Sequence, residues 1–570
     1  MTTLDWVVLA FTLGAIVAYG MYRGRKNRDI GGFLLADRSM PWYTVALSIM
    51  ATQASAITFT STPGLGYTDG MRFVQYYFGL PIAMVILSIT AVPAFRNAGV
   101  YTAYEFLENR FGLRMRILTS LIFLIGRGLG VGFTIYAPSL VLSIILGWDM
   151  SVTSTLIGGV IILYAASGGV KAIQWTHFQQ MIVILSGMAV AFVIAVSLLP
   201  PEVSFLDSLR VAGVMGRLKV LDFSFNPNDR YTFWSGIIGG TFVAMAYFGT
   251  DQSQVQRYLT GGSVKASRLA LLFNAVIKVP MQFLILLLGV AVFSFYQFVR
   301  PPLYFNPAET SRITSGGFAA EYGRLESWHA TAFEAKKDAI SGYLGAGTEQ
   351  GSATWKRRLE EASLRSERIR SDVKALAKRA DPTSDGNDTN FIFLTFVITY
   401  LPAGFIGLLF ACIFAATMSS TSGELSALAT CSVVDIYKRL VRAGADESHY
   451  LIVSRLGMVF WGIYAIAFAQ FAGGLGALIE AVNIVGSLFY GTMLGIFLIA
   501  FYIKRVGGWA VFWAALTGEA VVLSCASFTD ISWLWYNVIG CATVIAGGVL
   551  LQRLSGEWNA GPGNGGSPTA

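Results

Sequence analysis

The chain has 570 residues, 54% of them hydrophobic and 13% charged, with a formal net charge of +8. Globular proteins carry about 25% charged residues, and a soluble fold of this length leaves too much surface in water to hide so much apolar side chain. A soluble enzyme, a nucleic-acid binder and a disordered chain are excluded, and the protein is placed in a lipid bilayer.

A helix needs about 20 apolar residues to cross the hydrocarbon core. In chain order, such runs occupy residues 6–22, 41–67, 73–95, 128–148, 150–170, 172–201, 231–250, 279–299, 391–423, 456–479, 481–503, 506–529 and 531–552, which predicts thirteen spans. The first run is too long for a signal peptide and lacks a small-residue cleavage site, so it reads as a mature helix. Lys and Arg recur in alternate short loops: Arg23–Arg38, Arg96–Arg116, Lys171, Arg257–Arg268, Lys438–Arg442, Lys504–Arg505 and Arg553. The positive-inside rule makes these loops cytoplasmic, with the N-terminus outside and the C-terminus inside a multi-pass protein of the plasma (inner) membrane. Cys412, Cys431, Cys525 and Cys541 lie in or beside apolar runs without paired spacing and read as buried thiols, not as disulfides or zinc ligands.

Charge is concentrated in one block. Of the 92 residues from 299 to 390, 27 are charged. Apolar residues recur there at Phe318, Tyr322, Leu325 and Ala332, and at Trp355, Leu359, Ala362, Ile369, Val373 and Leu376, with turn residues from 342 to 351 between the two series. That pattern predicts an external helical hairpin, either a cap over the rest of the molecule or a docking surface for a protein partner. The organisation expected is a first helix and cytoplasmic loop (1–40), a core (41–300), the charged extracellular insertion (301–390), the rest of the core (391–505), two C-terminal helices (506–554) and a disordered tail (555–570).

Two spans are not ordinary. The segment 48–64 holds seven Ser/Thr hydroxyls and a terminal Pro-Gly, and 247–257 follows an apolar helix and turns abruptly polar at Asp251 and Gln252. Helices broken at membrane depth are tolerated where freed carbonyls line a cavity or ion site, and a pair of interrupted segments five spans apart points to an inverted-repeat transporter with its site at the midplane. Hydroxyls bonding back to their own helix account for either segment alone. A third segment, 415–423, carries adjacent Ser419 and Ser420, whose oxygens together with carbonyls of a broken helix would suit a hard cation such as sodium.

These stretches, ATQASAITFTSTPGLGY (51–67), SGGVKAIQWTHFQQ (167–180), YFGTDQSQVQR (247–257) and AATMSSTSGELSALATCSVVDIY (415–437), together resemble the sodium/solute symporter family of sodium-coupled sugar, proline, sialic-acid, monocarboxylate and iodide carriers. The resemblance implies an all-α polytopic protein with a five-plus-five inverted-repeat core whose first and sixth core helices are broken. It implies sodium as the coupling ion, held by the carbonyls of Ala51, Ala54 and Ala416 and the hydroxyls of Ser419 and Ser420. It also implies a gate at Tyr247, with Asp251 and Gln252, and a substrate lysine at Lys278. A structural ion pair of Lys278 with Asp251 is the alternative for that lysine.

Where the family's two-sodium members have a carboxylate and a serine, this chain has His177 and Gly423, which implies one sodium per cycle. His177 could instead carry a proton. Thr58, Tyr77, Ala244 and Asn483 replace polar positions of the sugar carriers, so sugar specificity is not implied. Substrate contacts are expected from Thr58, Tyr77, Lys278 and Asn483, with Arg127 able to clamp a carboxylate. The expected activity is alternating-access symport of a sugar, sugar acid or other carboxylate. The alternatives are proton-coupled symport and a transporter-fold sensor. No catalytic cluster is read from the scattered His177, His329 and His449, so an enzyme is not expected.

Overall fold

The computed structural model describes residues 2–24, 30–346, 348–382, 384, 386–472 and 477–555, so all of the expected tail except Ser555 lies outside the described residues. Among these residues the chain is helical, with one isolated bridge between Met40 and Gly261. The helices used below are α1 (Thr3–Gly24), α2 (Trp42–Gln53), α3 (Ala56–Thr68), α4 (Leu113–Leu146), α5 (Met150–Ser197), α6 (Gly240–Thr250), α7 (Gln252–Leu259) and α8 (Val264–Phe298). They continue with α9 (Ala319–Gly345), α10 (Glu349–Ala380), α11 (Phe405–Thr430), α12 (Glu447–Ala469), α13 (Leu478–Tyr502), α14 (Gly508–Phe528) and α15 (Trp533–Leu554).

Nine helical stretches among the described residues are long and apolar enough to cross a membrane, and four shorter apolar ones accompany them: Thr3–Tyr19, Met150–Ala166, Ser235–Thr250 and Thr389–Tyr400. Length alone therefore does not reproduce thirteen spans. Broken helices are too short to qualify. The chain also stays helical through Lys171, where two separate spans are expected. A single lysine leaves the i→i−4 backbone ladder intact, so charge marks a membrane boundary without ending a helix.

α11 is the most buried of the nine and packs against α1, α4, α5 and α12. α12 and α14 are mostly exposed and carry large apolar side chains such as Phe460, Ile463 and Trp513 outward, as lipid-facing helices do. α3 and α8 approach closely because small residues face each other. A Cβ on Gly66 would meet the Leu286 carbonyl, and one on Gly289 the Pro63 carbonyl.

α9 and α10 pack side by side through Tyr322, Leu325 and Ala332 on one and Ile369, Val373 and Leu376 on the other. His329 is 4% exposed and its Nε2 donates to the Pro301 carbonyl (3.2 Å). Burial, with Lys336, Arg370 and Arg300 nearby, pushes its pKa down to about 4. The unfolded chain takes up this proton near pH 6.5 and the folded hairpin only near pH 4, so stability falls as pH drops through that window. Acidification from pH 7 to pH 5 is expected to cost the hairpin about 2 kcal/mol. Hydrogen exchange of 319–380 measures this, and His329→Gln should flatten the pH dependence.

Candidate functional site

The first break falls at Ala54, between α2 and α3, where φ −85° and ψ 61° leave the helical region. Pro63 lies inside α3 and does not end it. Several hydroxyls of the segment bond to their own chain: Thr52 Oγ1 to the Ser48 carbonyl (2.7 Å), Thr60 Oγ1 to that of Ala56 (3.1 Å) and Thr58 Oγ1 to that of Gln53 (3.0 Å). The second break is at Asp251, between α6 and α7, with φ −75° and ψ 118°. Its carboxylate accepts from the Ser253 N–H (2.8 Å) and caps α7, satisfying a donor that the break exposes.

α11 carries Ala416, Ser419 and Ser420, all completely buried. Ser420 Oγ donates to the Ala416 carbonyl (3.0 Å), whereas Ser419 Oγ has no hydrogen-bond partner among the described residues. His177 on α5 joins this helix to the broken one. Its Nε2 donates to the Ser419 carbonyl (3.1 Å), which leaves Nδ1 to accept from Ser48 Oγ of α2 (2.8 Å). Both ring nitrogens are occupied with the imidazole neutral. A Cβ on Gly423 would collide with the Arg257 guanidinium, which is buried and has no hydrogen-bond acceptor among the described residues. The Arg257 guanidinium thus occupies the space that a side chain at position 423 would need.

A cavity of about 110 Å³ lies beside the two breaks. Thr52, Gln53 and Ser55 from the first break line it, with Tyr76 and Tyr77, Tyr247 and Phe248 of α6, Lys278 of α8, and Asn483 and Tyr490 of α13. Apolar walls come from Leu80, Val243, Ala244, Ile479 and Val482. Lys278 is 1% exposed, and its Nζ stands 5.3 Å from the Tyr77 ring centroid. It makes no ion pair or hydrogen bond among the described residues, and Asp251 pairs with Arg127 instead. Asn483 offers its amide to the Ile479 carbonyl (2.6 Å) and accepts from Tyr76 OH (3.2 Å).

Of the residues expected to touch substrate, Tyr77, Lys278, Asn483 and Arg127 line this cavity, while Thr58 is turned to the Gln53 carbonyl. Tyr247 lines the cavity as well. Gln252 faces the opposite way, accepting from the Ala103 N–H (3.0 Å) and donating to the Tyr101 carbonyl (2.9 Å).

Sequence reading missed Glu424. It follows directly on the apolar run 391–423, where a charge is unremarkable, yet it lines the cavity and is 4% exposed. Arg127 pairs with Glu424 (3.2 Å) and Asp251 (3.7 Å) and donates to Ser253 Oγ (3.0 Å), while Tyr490 OH donates to Asp251 (2.8 Å). This network ties α4, α7, α11 and α13 together at one end of the cavity. The signal that could have found it was the intramembrane charge itself, since Glu424 stands four residues after Ser420 on the same helix.

Below the site, Asp435 of the motif ending at Tyr437 accepts from Arg116 Nε (2.7 Å) and Thr102 Oγ1 (2.7 Å), and Arg116 also pairs with Glu108. Asp435 is 0% and Arg116 1% exposed. Removing one partner strands a buried charge, so Arg116→Ala is expected to lower stability by about 3–5 kcal/mol. A thermal-unfolding midpoint within error of the parent would contradict this.

A profile of the sodium:solute symporter family matches residues 33–307 and 375–518. The chain is 26% identical over 525 residues to the sodium-coupled monocarboxylate transporter 1 of Xenopus laevis, covering 92% of this chain and 71% of that one. It is 23% identical to the sodium/sialic acid symporter of Proteus mirabilis, covering 97% and 95%. The human sodium/iodide cotransporter is 32% identical over 52% of this chain and 46% of its own. Among solved structures, the substrate-bound outward-open state of a Na+-coupled sialic acid symporter superposes with a TM-score of 0.74 at 22% identity, over 97% of this chain and 98% of that one. The broken helices, the fold and the family profile agree, and the chain belongs to the sodium:solute symporter family, a family of membrane transporters.

Proposed function

We propose that this member of the family carries a small organic anion, a short carboxylate, together with one sodium ion. The observation that carries this reading is Lys278, a buried ammonium facing the cavity with no anionic partner among the described residues. An intramembrane charge is costly and marks a functional site, and the solute's carboxylate is the partner Lys278 lacks. About 110 Å³ of cavity has room for a compact solute of several heavy atoms, which favours a monocarboxylate over a sugar acid. Tyr77 and Asn483 orient the rest of the molecule. Arg127, held by Glu424 and Asp251, closes the far end with Tyr247.

Sodium binds at the Ala54 break, to the carbonyls of Ala51, Ala54 and Ala416 and the hydroxyls of Ser419 and Ser420. Ser419 Oγ, buried without a partner, supports that assignment. Bridging α2 to α11, the ion stabilises the outward-open state, after which the solute binds and the core rocks to face inward. His177, hydrogen-bonded at both nitrogens, and the Arg257 guanidinium beside Gly423 stand where a second sodium would need oxygen ligands, which supports a single ion. One sodium crossing about −100 mV contributes roughly 2.3 kcal/mol. With its concentration gradient added, it supports roughly hundredfold accumulation. The N-terminus and the 301–390 insertion lie outside the plasma membrane and the C-terminus in the cytoplasm, with the insertion capping the core or docking a protein partner.

The test is uptake of labelled acetate, lactate and a sugar acid into proteoliposomes, with sodium or choline outside. Sodium-dependent uptake of a monocarboxylate is expected. Sodium-independent uptake, or transport of neutral sugar alone, overturns the reading.

A further inference from the structure

A second cavity, of about 470 Å³, lies between the α9–α10 hairpin and the ends of α3 and α8. Its charged lining is mostly cationic: Arg217, Lys336, Arg370 and Lys374 against Asp69 and Glu367. Three of the four cations have carboxylate partners. Arg217 pairs with Glu367 (2.9 Å), and Arg370 and Lys374 share Asp388 (2.9 and 3.5 Å). Lys336 has none among the described residues. It is 6% exposed, and its Nζ stands 5.8 Å from the Phe333 ring centroid.

Donors remain even after those pairings. Arg217 Nε and Arg370 Nη1 are buried with no acceptor among the described residues. A buried ammonium without a counter-ion is expensive, and burial lowers the Lys336 pKa only to about 8, so it stays charged at neutral pH. A cavity lined by two arginines with unpaired N–H donors and by one uncompensated positive charge suits an oxyanion, whose oxygens accept from more than one donor at once. The cavity is larger than the one at Lys278. Lys336, Arg370, Glu367 and His329 all lie outside the two segments that match the family profile, so the hairpin supplies this site to the core.

We propose that this cavity is a second binding site, for a small oxyanion held by Lys336 with Arg217 and Arg370, at the junction of the hairpin and the transport core. The shared chemistry is a carboxylate or an inorganic oxyanion. The Arg370 guanidinium also sits 5.7 Å from the ring centroid of Tyr67, on α3. α3 is the half-helix that follows the first break, so occupancy bears directly on a broken helix of the core. The site goes beyond the central reading and does not need it, because none of its anion-holding residues lines the cavity at Lys278.

The experiment uses the purified full-length protein carrying Lys278→Gln, which removes the central ammonium. At constant sodium and ionic strength, chloride is replaced stepwise by sulfate, acetate or lactate, and the thermal midpoint is followed. A saturable rise is expected with at least one oxyanion. Adding Lys336→Met should raise the half-saturating concentration tenfold or more, whereas Lys336→Arg should change it by no more than about threefold. If Lys336→Met does not fold, Lys336→Gln is read in its place. Response to sulfate alone assigns an inorganic oxyanion, and response to acetate or lactate assigns a carboxylate. No saturable rise with any of the three, or titration of the Lys336 variant like its parent, overturns the site. Unchanged uptake in Lys278→Gln would instead sink the central reading and leave this one standing.

Discussion

Lys278→Gln is expected to reduce sodium-driven carboxylate uptake by about thirtyfold or more. Losing one partner of a buried, hydrogen-bonded charge pair costs about 2–5 kcal/mol, and here the stranded partner is the solute's own carboxylate. The loss should appear in the concentration of solute needed for half-maximal uptake, and sodium binding in the absence of solute should be unchanged. The variant is expected to fold at least as well as the parent, because an unpaired ammonium costs stability before solute arrives. Uptake kinetics in proteoliposomes and sodium-induced thermal shifts measure the two halves separately. Equal uptake in the parent and Lys278→Gln removes the lysine from the site.

The second large effect is expected at the ion site. Ser419→Ala and Ser420→Ala should each raise the half-saturating sodium concentration roughly tenfold, since each deletes one oxygen from an all-oxygen set of five and water does not enter a site this buried without cost. The two variants should differ in stability. Ser419 Oγ has no partner among the described residues, so its removal leaves apo-protein stability unchanged or higher. Ser420 Oγ bonds the Ala416 carbonyl of its own helix, a bond worth about 1 kcal/mol that is lost on substitution. Sodium dependence unchanged in both variants places the ion elsewhere.

Much of this molecule was legible in the chain. The charge deficit places it in a bilayer because hydrocarbon tolerates few ions, and runs near 20 residues mark helices because that length matches the bilayer. The two breaks were visible as polar interruptions, at 48–64 and 247–257, because backbone freed at membrane depth must have polar company. The first break itself lies at Ala54 and not at Pro63. Proline lacks an N–H and bends a helix interior, yet Pro63 is the eighth residue of α3 and the helix runs on past it, so only the packed structure decided where the ladder opens.

The charges inside the membrane divided differently. Lys278 and Arg127 stood out in the sequence because each interrupts an apolar run, but their partners did not. Whether Asp251 answers Lys278 or Arg127 depends on which helices meet, and the structure pairs it with Arg127 while Glu424, just past the 391–423 run, supplies the second carboxylate. Lys336 is a further case. In the sequence it is one cation among 27 charges between residues 299 and 390, where a solvated surface is the ordinary expectation, and it becomes a candidate ligand only when the hairpin folds it against the core.

The solvent, most of the helical runs, the family and the oxygen-rich segments were thus readable from the chain, though not the number of spans. Those follow from local composition and spacing, which the bilayer reads one helix at a time. Tertiary structure decided which buried charges are paired and which are left open for an anion, because pairing acts over a few ångströms between residues hundreds of positions apart.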